Sequence, residues 1–178
     1  MDRIERIARW SRRLRGVLFV VALVLPLAHV AFWVWMGALP QSLVARALPG
    51  SVVLPLPVGA RALGGMVALL PVAAAVYGLL VLQRLFGLYA QGMIFTPQNV
   101  ACFRQLATAL LWWAGLGFLQ TPLLSMALSL HLPAGHRVIE LALTTPDVTA
   151  LLLGLVLRVA VWVMEEGCEL HTDHSLTI

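Results

Sequence analysis

The sequence predicts an all-α fold. We expect a four-helix transmembrane bundle with a short N-terminal amphipathic juxtamembrane helix and a projecting cytoplasmic hairpin between helices 2 and 3. Three observations predict it. Hydrophobic residues make up 61% of the 178 residues and charged residues only 11%, against roughly 25% charged in a water-soluble domain. The apolar residues gather into four long runs that are nearly free of charge. The basic residues crowd at one terminus, as orientation signals of membrane proteins do. With a mean hydropathy of +0.92, the expected solvent for most of the chain is lipid.

The elements follow in order, within one integral membrane domain over residues 1–178. Residues 1–16 carry six arginines, Arg3, Arg6, Arg9, Arg12, Arg13 and Arg15, and the chain has no lysine. On a helical wheel Ile4, Ile7, Trp10 and Leu14 share one side of this segment. That pattern suits a short helix lying on lipid headgroups before the chain turns inward. Residues 17–39 are uncharged and as a helix would span about 34 Å, enough to cross an apolar core of about 30 Å. The run exceeds the roughly 7–15 apolar residues of a cleaved signal, so it is expected to be retained. The remaining helices are expected at about 62–91, 97–130 and 146–170, with residues 171–178 as a tail. Helices are required because lipid offers no partner to open backbone groups.

The arginines also set a direction. The N-terminal cluster outweighs Arg46 and Arg61 in the first loop, Arg84 and Arg104 in the second, and Arg137 in the third. Both termini are therefore expected in the cytoplasm, in a multi-pass protein of the bacterial inner membrane. The basic pI is an orientation and lipid-headgroup signal, and direct nucleic-acid binding is not expected. Cys102 and Cys168 fall on the cytoplasmic side and read as thiols.

Between the second and third runs lies FGLYAQGMIFTPQNVACFRQ, residues 86–105. Gly92 is a C-terminal helix stop. Thr96 is expected to cap the next helix, with Pro97 in its first turn and a Phe95–Val100 staple. The hairpin is expected to stand roughly 13 Å beyond the apolar core. It carries more apolar residues than one two-helix seam can absorb, which suggests a contact surface. The residues expected to bind a partner are Phe86, Tyr89, Ile94 and Phe95 of the hairpin, with Glu165, Glu166, Leu176, Thr177 and Ile178 near the C-terminus.

LFGLYAQGMIFTPQN followed by FRQLA, together with the closing VMEEGCELHTDHSLTI, resembles the DUF2975 family of small bacterial membrane proteins. The resemblance covers the layout of all four helices and is specific in these two stretches. Near the end this chain departs from it, with His171 and His174 around a single Asp173 where relatives are richly acidic. The resemblance implies no established activity. It implies as partner a small cytoplasmic helix-turn-helix regulator, since family members are often encoded beside one.

Inside the spans, His29 and Gln120 lie at matching depth and are expected to hydrogen-bond to each other. Arg158 is the one charge within a span. It is expected to snorkel toward the cytoplasm and Glu165, or alternatively to meet another subunit or a lipid phosphate. Pro26, Pro71 and Pro122 fall within spans, where they kink helices. The small pairs Ala74/Gly78 and Ala150/Gly154 permit close helix contact. Trp33, Trp35 and Trp162 fit an aromatic belt. His131, His136 and Glu140 gather in the outer loop, but the His136/Glu140 pair, four apart, has no third ligand in firm register, so no metal is expected.

No phosphate-binding glycine loop, HExxH, CxxC or credible Ser/His/Asp set is present in the sequence, so neither a cofactor nor an enzymatic activity is expected. The leading expectation is a regulatory protein that acts by contact through the hairpin and tail, with membrane lipid, a small cytoplasmic protein and, as a homo-oligomer, further copies of the chain as candidate partners. The rival is a small transporter or channel subunit using His29, Gln120 and the prolines.

Overall fold

The computed structural model describes residues 3–50, 55–93, 96–130, 132–133, 137 and 139–175, with backbone alone for 3–7 and 168–175. Among them every regular element is helical: α1 (Arg3–Trp35), a 3-10 turn (Met36–Ala38), α2 (Gln41–Ala47), α3 (Val58–Ala90), α4 (Pro97–Ser129) and α5 (Thr145–Ser175). Four of these helices are long and apolar enough to cross a membrane.

The basic N-terminal segment is not a separate element. It is the first half of α1, which runs unbroken for 33 residues, about 50 Å. Arg, Ile, Glu and Ala are all compatible with a helix, and nothing between Arg3 and the membrane run forces a stop. Charge marks where lipid should end; it does not mark where the helix ends. Pro26, Pro71 and Pro122 all sit inside continuous helices.

The four long helices pack in a row. α1 lies along α3, α3 along α4, and α4 along α5. The expected bundle does not close, since among the described residues α1 and α5 share no extensive contact. Each junction is made where a small residue lets a neighbour in. A methyl group added at Gly64 would lie 2.6 Å from the Trp33 ring and 2.8 Å from Leu128 Cδ2. One added at Gly78 would lie 3.5 Å from Ala109 Cβ, and one at Gly154 2.9 Å from Leu111 Cδ2. Ala150 and Val161 are buried on the Gly154 side of α5, whereas Leu152, Val156, Val159 and Trp162 are exposed. In lipid an uncovered apolar face costs nothing, so packing is settled by close contact and not by burial demand.

One end is closed by a short helix, α2, within the first expected loop. The short α2 presents Val44, and Leu48 follows it; both are buried with Trp33, Met36, Leu56, Leu124 and Leu128. Pro40 at its N-cap and the Val44–Leu48 spacing were the available signals. Trp33 is thus a core residue wedged against Gly64, while Trp35 and Trp162 are exposed as a belt requires.

α5 begins with a capping box. Thr144 donates its backbone N–H to Asp147 Oδ2 at 3.3 Å, and Asp147 donates its own to Thr144 Oγ1 at 3.4 Å. The two side chains also bond at 2.6 Å. A run that is apolar apart from Thr149 and Arg158 follows before the Glu165–Glu166 pair.

Candidate functional site

The hairpin end is built by a helix stop, a turn and a helix start. Gly92 has φ 77°, the left-handed conformation that glycine adopts without strain. Gly92 N–H bonds to Tyr89 O and Met93 N–H to Leu88 O, both at 3.1 Å. These are the paired 5→2 and 6→1 bonds of a Schellman motif, and Met93 packs against the buried cluster that includes Leu88. α4 then starts at Pro97 with Thr96 at the N-cap position. Thr96 does not cap through its side chain: its Oγ1 is buried without a partner, as is Asn99 Oδ1. The turn is fastened instead by Asn99 Nδ2, which donates to Met93 O at 2.9 Å. The expected staple involves Phe95, which with Ile94 lies outside the described residues.

Beneath the turn, Leu85, Leu88, Val81 and Cys102 form a buried cluster, joined by Met93, Phe103 and Leu106. The seam absorbs more of the apolar set than the sequence suggested. Phe86 and Tyr89 remain half-buried and stack edge to face, their centroids 6.0 Å apart. Arg84 is exposed beside them. The first half of α1 runs along the same end: a methyl group at Gly87 would lie 3.7 Å from Arg15 Nη1.

Glu165 meets Arg104 at 3.5 Å, an exposed pair worth about 0–1 kcal/mol. This corrects the expected Arg158–Glu165 contact. α5 binds α4 along the Gly154–Val161 side, and Glu165 continues that side onto Arg104. Arg158 is half-buried between the Gly154 and Glu165 contacts and pairs with no carboxylate among the described residues. Glu166 is exposed, and Leu176, Thr177 and Ile178 lie outside the described residues.

The expected His29–Gln120 bond does not form. His29 Nε2 donates to the Gly65 carbonyl of α3 at 3.2 Å, leaving Nδ1 as an acceptor. α1 packs along α3 and not along α4, so His29 meets a carbonyl of α3. Gln120 instead lines a polar cavity of about 310 Å³ with Thr121, Arg46, Glu140 and Asp147. The segment 139–144 reaches it by laying back on α4, where Glu140 N–H bonds to Ser125 Oγ at 3.0 Å. Sequence reasoning missed this cavity because two of its walls, 48–50 and 140–144, come from connecting segments. His131 and His136 lie outside the described residues, and among those described no cluster of three metal-ligating side chains occurs.

No curated protein and no solved structure shows significant similarity to the chain. Residues 49–178 match the family described as protein of unknown function DUF2975, so α2's C-terminal flank and everything from α3 onward lie within the match while α1 precedes it. With well over half of its length matched and four apolar helices long enough to span a membrane, the chain belongs to the DUF2975 family of proteins.

Proposed function

We propose that this multi-pass membrane protein acts by contact, holding a small cytoplasmic protein at the membrane through its hairpin end. The reading rests on one observation: the half-buried Phe86–Tyr89 pair lies at the end of the molecule that also gathers eight of its 12 basic residues. These are the six arginines at the start of α1 with Arg84 and Arg104. Arginine excess favours the cytoplasmic face, so that end is taken to face inward and to stand beyond the apolar core. The C-terminal segment from Glu165 leaves from the same end. A helix-turn-helix regulator, implied by the family resemblance, is the partner to test first.

The transporter reading draws less support. His29 Nε2 is taken by Gly65 O, and Ser125 and Ser129 donate to Pro122 O and Met126 O within their own helix.

Detergent-solubilised protein should retain a cytoplasmic helix-turn-helix partner encoded beside it. Retention should be lost on deleting residues 165–178 and weakened about tenfold or more by Phe86→Ala with Tyr89→Ala, aromatic anchors being worth about 2 kcal/mol or more at interfaces. Equal retention by all three forms, or none by the intact chain, overturns the proposal.

A further inference from the structure

At the end of the molecule opposite the hairpin, α1 and the start of α3 diverge around a cavity of about 450 Å³. Its walls are His29, Val30 and Val34 on one side and Val58, Met66 and Leu69 on the other. Arg61 stands at its mouth and also borders a second cavity of about 180 Å³ beside Gln41. The guanidinium lies over Gly37, where an added methyl group would be 3.2 Å from Nη1. Its Nε is buried and makes no hydrogen bond, and among the described residues no acidic side chain lines either cavity. α3 starts here without a side-chain cap, so its first amides add positive potential at the same place. The side chain as a whole is half-buried, so its terminal nitrogens are the donors that an anion at the interface would meet.

The rest of the cavity excludes a soluble ligand. Val30, Val34, Met66 and Leu69 are more than 40% exposed on helices that span the membrane, so they face acyl chains. From Val58 to Leu69 the groove descends about 16 Å, close to one leaflet of a core of about 30 Å. Charge at the interface above an apolar channel of one leaflet's depth is the shape of a phospholipid. We propose that this groove binds an anionic phospholipid, with its phosphate on Arg61 and one acyl chain along the channel toward Leu69. The site is independent of docking at the hairpin end.

The test is native mass spectrometry of the full chain in detergent with phosphatidylglycerol or phosphatidylcholine, following the last lipid retained as the molecule is activated. Phosphatidylglycerol should be retained over phosphatidylcholine. Arg61→Gln should lower its retention roughly tenfold, and Arg46→Gln, at the same end but outside the groove, should not. Ala62→Phe keeps the charge but fills the channel, and should also lower retention; it carries the test if Arg61→Gln fails to fold. Excess inorganic phosphate should leave the lipid bound, and full displacement by phosphate would make this a free-anion site and sink the lipid assignment. Unchanged retention in Arg61→Gln or Ala62→Phe, or no preference between the two lipids, overturns the proposal.

Discussion

Gly64 is where a single atom decides the packing. It lies between the buried Trp33 ring of α1 and the buried Leu128 of α4, so three helices meet over one missing side chain. Gly64→Ala places a methyl group under 3 Å from both, so one of the two buried side chains must shift. Overpacking of this kind costs about 1–3 kcal/mol. Gly115→Ala is the matching control: nothing lies within 4 Å, and alanine's better helix propensity makes it neutral or mildly stabilising. Thermal unfolding in detergent should lower the midpoint for Gly64→Ala alone. The sequence showed that small residues mattered, as at Gly78 and Gly154, but it did not show Gly64. That needs the identity of the residue across the interface. The same gap explains His29, whose neighbouring helix was not legible in the sequence.

Local chemistry specified the helix ends better than the arginines specified the membrane edge. Gly92 stops α3 and Pro97 opens α4, because a positive φ and a missing N–H are demands on the residue itself. Thr96 occupies its expected position without its expected bond, and the continuity of α1 was hidden by reading charge as a boundary. The start of α5 offers the sharpest test at this scale. Thr144 and Asp147 bond reciprocally, and the Asp147 carboxylate also closes over Gly117, leaving no space for a side chain there. The cap therefore fixes both the first turn of α5 and its seat on α4. Thr144→Ala should cost about 1 kcal/mol, whereas Thr144→Ser, which retains the hydroxyl, should restore most of it. Equal unfolding midpoints for the two variants would show that the box carries no stability.

For the whole molecule, four apolar helices were legible in composition and their arrangement was not. In water, the residues that close a core betray themselves by being the apolar ones. Here Val156 and Trp162 on an open face of α5 are as apolar as the buried Val161, so the sequence holds no record of which faces are covered. The row of helices α1–α3–α4–α5 is a claim that cross-linking can test in a background lacking Cys102 and Cys168. Gly78→Cys with Ala109→Cys joins α3 to α4 where an added Cβ at Gly78 lies 3.5 Å from Ala109 Cβ, within the usual span of a disulfide, and should oxidise within one chain. Val20→Cys with Val159→Cys places thiols at similar depth on the exposed faces of α1 and α5. That pair should not cross-link within one chain, because nothing brings those helices together. A fast intramolecular bond between positions 20 and 159 would mean that the bundle closes in the membrane. A bond between chains would leave the row intact and would identify its free faces as the route by which copies associate.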